Sequence, residues 1–156
     1  MEIETLKTRT SIDQNDKLFK IYTQFEEVLA ALRKKELPEQ TIGVINQEIQ
    51  LVNSIPESGK ELKKQIKKGQ GRIVKLLEKE LKIVPQSYYQ STWMGLGMAA
   101  FGLPMGVAFG MALGNLAFLS IGLPIGMAIG LAVGSGMDKK ALEEGRQLDV
   151  KIKFYG

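Results

Sequence analysis

The 156-residue sequence contains no cysteine and no histidine. These absences exclude disulfide bonds, thiolate metal sites, imidazole bases and lipidated cysteines from the chemistry of this chain. An active site would have to use carboxylates and lysines. The paired glutamates lie among other charges on predicted helical surfaces, and we interpret them as solvated positions: Glu26, Glu27, Glu78, Glu80, Glu143 and Glu144. We therefore expect no enzymatic activity, no cofactor and no metal site.

Charge is also missing from one long segment, residues 93–137, which contains no Asp, Glu, Lys or Arg. A single straight helix of that length would reach about 68 Å, more than twice the roughly 30 Å hydrocarbon core of a bilayer. The segment must therefore turn, most simply at Gly114 and Asn115. Residues 93–113 and 116–136 are then each long enough to cross a bilayer once, which predicts a transmembrane helical hairpin.

The same segment contains two copies of one sequence motif, at residues 101–114 and 121–134, which we call the doubled phrase. Small residues spaced four apart allow helix backbones to approach closely in lipid. The glycines at this spacing are therefore predicted to be helix-packing positions: Gly102, Gly106, Gly110, Gly114, Gly122, Gly126, Gly130 and Gly134. The proline that occurs at the same place in each copy is expected to kink its span without ending it.

A second band of small residues, Pro104, Ala108 and Ala112, falls on roughly the opposite side of the predicted helix. A helix with small residues on two opposite sides can pack closely against a neighbour on each side, as in a ring. The large residues then occupy the remaining sides and give two sets of candidate pore-lining residues, Leu103, Val107 and Met111, or Met105, Phe109 and Leu113. A central space lined by either set would be gated by dewetting.

Two other interpretations of the doubled phrase remain open. Its strict alternation of small and large residues also fits a transmembrane β-hairpin, although glycine, alanine and proline disfavour strands. Alternatively, the hairpin is only a membrane anchor.

The charged remainder of the chain predicts a soluble helical domain over residues 1–92, with helices at about 11–35, 38–54 and 60–84. Their narrow apolar stripes fit either a three-helix bundle within one chain or seams that pair between subunits. Gly69 and Gly71 could break the third helix. Residues 138–156 are predicted to form a cytoplasmic tail, in which 148–155 alternate as a half-buried strand. Its partner would be the first ten residues or the same strand of another subunit.

The third helix carries a run of basic residues, Lys60, Lys63, Lys64, Lys67, Lys68 and Arg72. They form either a solvated helix face or a contact surface for anionic lipid headgroups. No aromatic residues accompany them as a stacking platform, so we do not expect nucleic acid as a partner.

The phrase Gly-Leu-Pro-x-Gly-x-Ala-x-Gly-x-Ala-x-Gly occurs twice and is followed by Asp138-Lys139-Lys140 and by residues 144–148. This arrangement, over about residues 93–148, resembles the glycine-zipper family of small bacterial membrane proteins. The resemblance implies membrane insertion and self-association, and it implies no particular activity. Outer-membrane lipoproteins of this kind carry a lipidated cysteine, which this chain lacks.

The predicted protein is mainly α, with a helical bundle or coiled-coil region, a transmembrane hairpin and a short C-terminal strand. We expect a homo-oligomeric membrane protein whose hairpins form a pore, channel or membrane-perturbing complex. The alternative is an anchored structural or adaptor protein whose helices bind another protein. Basic residues flank the hairpin on both sides, which predicts that both termini are cytoplasmic: Lys75, Lys79, Lys82, Lys139, Lys140 and Arg146. The resemblance implies a bacterial protein, which we expect in the inner membrane.

Overall fold

The computed structural model describes residues 2–9, 12, 17–56 and 59–153, except the side chain of Leu116. The described chain is mainly α-helical and contains one two-stranded sheet, as predicted. It divides into two compact units, one formed by Met1–Pro85 with Leu148–Gly156 and the other by Gln86–Gln147. The second unit therefore begins before the charge-free segment and ends after it.

Three helices build the first unit: α1 (Lys17–Arg33), α2 (Glu39–Ser54) and α3 (Gly59–Leu81). Helix α3 packs against both of the others. The apolar stripes of the three helices pack together within one chain. Of the two interpretations, the structure therefore has the three-helix bundle within one chain. Its most deeply buried side chains are Ile21, Phe25, Leu29, Leu32, Ile45, Ile49, Leu62, Ile66, Ile73 and Leu77.

The ends and the interior of α3 differ from expectation in two places. The helix ends at Leu81 because Lys82 adopts a left-handed backbone with φ 55°, and the Ile83 N–H turns back to the Leu77 carbonyl at 3.2 Å. The helix is also unbroken at Gly69 and Gly71. At Gly69 the absence of a side chain serves packing, because a Cβ there would lie 3.2 Å from Oε2 of Glu48.

The C-terminal segment alternates as predicted, but its pairing is different. Leu148, Val150 and Ile152 are buried, while the residues between them are exposed. Within the described part of the chain, ladder pairing is limited to β1 (Val84–Pro85) with β2 (Gln147–Leu148). Of the two predicted partners, the first ten residues are not the one observed, because the described residues 2–9 lie against α2 through side-chain hydrogen bonds. Residues 154 and 155 of the predicted strand lie outside the described residues.

The second unit is a helical hairpin. Its first arm runs without interruption from Tyr88 to Ala112, as α4 (Tyr88–Gly97), a π-helical turn (Met98–Gly102) and α5 (Leu103–Ala112). A 3-10 turn (Leu116–Phe118) leads into the second arm, α6 (Leu119–Glu143).

The two arms reverse at the predicted place. Gly114 has a left-handed backbone with φ 65°, and the side-chain oxygen of Asn115 accepts a 2.9 Å hydrogen bond from the Ala117 N–H. Each arm is 25 residues long and contains an 18-residue stretch with mean hydropathy of 1.5 in the first arm and 1.6 in the second, so both are long and apolar enough to cross a membrane. Compared with the predicted spans, the arms are longer at the ends away from the turn, at Tyr88 and Glu143, and shorter at the turn, at Ala112 and Leu119.

The helix continues through both prolines of the doubled phrase. Pro124 lies inside α6, and Pro104 lies in the first turn of α5, directly after the π-helical turn. Proline has no N–H and its ring crowds the preceding helical turn. A wider π turn just before Pro104 is a known way to accommodate such a disturbance.

Candidate functional site

The two arms of the hairpin contact each other through glycine backbones. A Cβ added to Gly97 would lie 2.8 Å from the Gly130 nitrogen, and one added to Gly126 would lie 2.5 Å from the Gly102 nitrogen. Real Cβ atoms do not approach backbone this closely, so no larger residue fits at these positions without moving a helix. Gly122 meets Gly102 and Gly106 in the same way.

The contact continues toward both ends of the hairpin. A Cβ on Gly106 would lie 2.8 Å from the Leu119 carbonyl oxygen, and one on Gly134 would lie 2.5 Å from the Gln90 Cα. Gly130 packs against the backbone of Trp93, and Gly110 is also buried. We call this surface the glycine seam: Gly97, Gly102, Gly106, Gly110, Gly122, Gly126, Gly130 and Gly134.

The predicted set of packing glycines and the observed glycine seam differ at two positions, Gly114 and Gly97. Gly114 was expected at a packing position, but the structure places it in the turn, where no atom lies within 4 Å of its Cβ position. Gly97 was missed because it lies five residues before Gly102 and outside the doubled phrase. The π-helical turn between these glycines takes up the extra residue, so Gly97 stays on the seam.

The second band of small residues lies away from the seam. All six members are exposed, and we call them the outer band: Pro104, Ala108, Ala112, Pro124, Ala128 and Ala132. Within one chain, therefore, the glycine side of each arm is covered by the other arm and the alanine and proline side is not.

Both sets of candidate pore-lining residues lie on the outside of the single hairpin. In the first set, Leu103, Val107 and Met111 are 49%, 45% and 76% exposed. In the second, Phe109 and Leu113 are exposed and Met105 is half-buried. These side chains would meet lipid or a neighbouring copy.

A buried carboxylate joins the two ends of the hairpin. Asp138, near the end of α6, accepts hydrogen bonds from the Tyr89 N–H at 3.1 Å and the Gln90 N–H at 2.9 Å. These amides belong to the first turn of α4, where helical N–H groups lack intrahelical acceptors and the helix dipole favours negative charge. Gln90 adds a 3.2 Å hydrogen bond to Ser135. In the sequence, Asp138 belongs to the Asp138-Lys139-Lys140 run after the apolar segment, and its hydrogen bonds to α4 were not predicted.

In the predicted basic run on α3, three side chains are exposed lysines and Arg72 forms an ion pair. Lys60, Lys64 and Lys68 are exposed and Lys63 and Lys67 are half-buried. Arg72 forms an ion pair with Glu48 at 2.9 Å, in which the Glu48 side chain is only 8% exposed. The exposed series also continues past the predicted set, at helical spacing, to Lys75, Lys79 and Lys82.

Among the described residues, no group of three or more acidic, cysteine or histidine side chains could hold a metal ion. The fold and the surfaces define a class, a mainly α protein with a small helical bundle and a glycine-seamed pair of membrane-length helices. Comparisons with family models, curated proteins and solved structures found no match to this chain.

Proposed function

We propose that this chain is a homo-oligomeric integral membrane protein whose hairpins assemble a pore, channel or membrane-perturbing complex. Insertion is supported by the apolar exposure of the hairpin. Its exposed large side chains include Leu96, Phe101, Leu103, Val107, Phe109, Met111, Leu113, Ile121, Met127, Ile129, Val133 and Met137. A continuous surface of this kind is unfavourable in water, at about 25 cal/mol per Å², and is solvated by lipid tails.

The single observation that supports self-association is that the glycine seam is covered within one chain, whereas the outer band is exposed. In lipid, helices associate through close packing of small residues, since apolar side chains gain nothing by leaving the acyl chains. The seam already provides such packing between the two arms of one hairpin. The outer band offers the same kind of surface, exposed on both arms, and a neighbouring hairpin would cover it.

The charges outside the hairpin support an orientation. Basic residues before the first arm and after the second favour a cytoplasmic position for both ends, in a bacterial inner membrane. The exposed lysines of α3 would then contact anionic headgroups, at about 1 kcal/mol per basic residue near the surface.

One observation favours the second candidate, an anchored adaptor. Every residue between Trp93 and Met137 is uncharged, and the two candidate lining sets are wholly apolar. A central space lined by them would hold no stable water column. The hairpin would then serve as an anchor, and the helical bundle would bind a protein partner.

The mass of the detergent-solubilised full-length protein tests the proposal. An assembly of several copies is expected, and Ala108→Leu together with Ala128→Leu should reduce it to single chains. The matched control is Leu142→Ala, which changes an exposed residue outside the outer band. A monomeric parent protein would contradict self-association and leave the anchored adaptor as the better account.

A further inference from the structure

The extended N-terminal segment, residues 2–9, is held by asparagine side chains of α2; we call this segment the N-terminal arm. Asn46 accepts a 2.9 Å hydrogen bond from the Glu4 N–H and donates one of 2.9 Å to the Glu2 carbonyl. Asn53 accepts from the Lys7 N–H at 2.9 Å and donates to the Thr5 carbonyl at 3.1 Å. Each amide thus pairs with the arm as a neighbouring β-strand would.

The spacing of the two asparagines matches an extended chain. Asn46 and Asn53 are separated by seven helical residues, which corresponds to about 10.5 Å along α2. The arm residues whose N–H groups they bind, Glu4 and Lys7, are separated by three extended residues, or about 10 Å. Because this match concerns backbone repeats, it does not depend on the side chains of the bound segment.

Helix α1 covers the other edge of the arm. The Arg33 guanidinium donates hydrogen bonds to the Glu4 carbonyl at 2.6 Å and to the Ile3 carbonyl at 3.4 Å. The Tyr22 hydroxyl donates to the Lys7 carbonyl. Together these side chains form what we call the arm groove, defined by Tyr22, Arg33, Asn46 and Asn53.

Two side chains of the arm supply the rest of the recognition. Leu6 is its only buried residue, at 8% exposure. Three residues later, Arg9 donates 2.9 Å hydrogen bonds to the carbonyls of Val52 and Ile55 at the C-terminal end of α2. A cation is favourable there because the last helical carbonyls are unpaired and the dipole is negative. The groove therefore binds an extended segment whose side chains follow the pattern Leu-x-x-Arg.

We propose that the arm groove is a peptide-binding site and that its occupant in the assembled protein is the N-terminal arm of a neighbouring copy. The inference rests on the proposed homo-oligomer. All the contacts above are with α1, α2 and the Ile55 that follows it, so a second copy would reproduce them unchanged. Exchange of an identical element between copies is a low-cost route to association.

The extent of this exchange would depend on the reach of the linker and on how closely the copies are held. Residues 10–16 connect the arm to α1, and seven residues can span about 25 Å when extended. Copies held together by their hairpins would present their arms to each other at an effective concentration on the order of millimolar. A linked arm would therefore compete with the arm of the same chain.

Disulfide trapping tests the exchange, because the chain has no cysteine of its own. Glu4 and Gln50 are exposed, and their side chains are hydrogen-bonded at 2.8 Å. Full-length Glu4→Cys and Gln50→Cys chains with different tags would be co-expressed and oxidised in membranes. We expect a covalent dimer containing both tags, and at least tenfold less of it when Lys68→Cys replaces Gln50→Cys.

The opposite result is equally definite. If a chain carrying both cysteines closes completely on itself and the mixed chains give no tagged dimer, the arm stays in its own groove and the exchange is overturned. Adding Asn46→Leu and Asn53→Leu to the Gln50→Cys chain should abolish the dimer while the helical circular dichroism is retained. Unchanged cross-linking in that variant would also overturn the proposal.

A capped peptide of residues 2–9 provides a second probe. At millimolar concentration it should reduce the tagged dimer severalfold, whereas the same peptide with Leu6→Asp should not. Equal effects of the two peptides would contradict recognition by the groove. The mass of the complex, measured on the uncross-linked sample, separates the two hypotheses: an oligomer without the tagged dimer removes the exchange and leaves the proposed function standing.

Discussion

The Gln24 amide donates a 3.1 Å hydrogen bond to the side-chain oxygen of Gln70 in the core between α1 and α3. The Gln24 oxygen accepts a 2.7 Å hydrogen bond from the Lys153 N–H, so one side chain joins two helices and the C-terminal segment. Both glutamines are buried, at 6% and 1% exposure. Buried amides of this kind must be paired, because leaving one unpaired costs more than the bond itself contributes.

Gln24→Leu should therefore destabilise the bundle by about 2 to 4 kcal/mol, since it removes one buried and one partly buried hydrogen bond at once. Hydrogen exchange at the Lys153 amide should rise together with the loss of thermal stability. Gln65→Leu, at a half-buried position of α3, is the control. A Gln24→Leu protein as stable as its parent would show that this pairing does not hold the segment.

Gly126→Leu should separate the arms of the hairpin, at a cost of about 2 kcal/mol or more, because its side chain would overlap the backbone at Gly102. The readout is a disulfide between Gln90→Cys and Ser135→Cys, whose parent side chains are hydrogen-bonded. It should form in the parent hairpin and be lost with Gly126→Leu.

Gly136 lies in the same helix and provides the matched control. No atom lies within 4 Å of its Cβ position, so Gly136→Ala should keep the disulfide and stabilise α6 by about 0.5 to 1 kcal/mol. If Gly126→Leu and Gly136→Ala form the disulfide equally well, the glycine seam is not what holds the arms together.

Asp138→Ala should expose the first turn of α4. The variant leaves the Tyr89 and Gln90 amides without their acceptor, which we expect to cost about 1 to 3 kcal/mol. Faster hydrogen exchange at those two amides is the specific sign, and Glu143→Ala, an exposed change in the same helix, should not produce it. Unaltered exchange in Asp138→Ala would rule out the capping role.

Val107→Ser and Phe109→Ser, made separately, test for conduction. A hydroxyl on the lumen side of an assembly should wet an apolar barrier and raise ion leak through liposomes, while the same change on the lipid side should not. Leak in one variant alone would identify the lining set. Two silent variants that still insert and assemble would favour the anchored adaptor.

The bundle should lose stability at high pH through Tyr22. Burial raises the pKa of its hydroxyl above the usual 10.0, with a further increase from Glu26 and an opposing effect from Arg9. The folded state therefore favours the neutral phenol, and this contribution is complete below pH 10 and falls as pH rises through the folded pKa. Tyr22→Phe should show a shallower decline in thermal stability above pH 10 than the parent; identical declines would contradict the assignment.

The sequence was informative wherever a repeating pattern fixes one face of a helix. Stripes such as Leu18, Tyr22 and Phe25 predicted the bundle, and the absence of charge predicted two membrane-length helices and their turn. These signals are local, because helical periodicity is carried by residues three and four positions apart.

Contacts between segments distant in the chain left no comparable signal. The hydrogen bonds from Asn46 to the N-terminal arm and from Tyr89 to Asp138 each join residues more than forty positions apart. An asparagine in a helix and an aspartate beside lysines occur for many reasons, so neither pattern predicts a particular hydrogen bond. Gly97 was hidden for another reason, since a π-helical turn changes the spacing on which the pattern depends.

In the proposed assembly, the exposure of the outer band on both arms would give each hairpin two surfaces for contact with neighbouring copies. The seam is closed within the chain, and one outer band remains on each arm. Contact between like arms would be isologous, and it would give a closed dimer only if the band of the other arm stays uncovered. Contact between unlike arms would be heterologous and would continue from copy to copy until the rotation at each step closes a ring. The choice between these arrangements therefore depends on which bands meet, and the number of copies in a ring depends on a single interhelical angle.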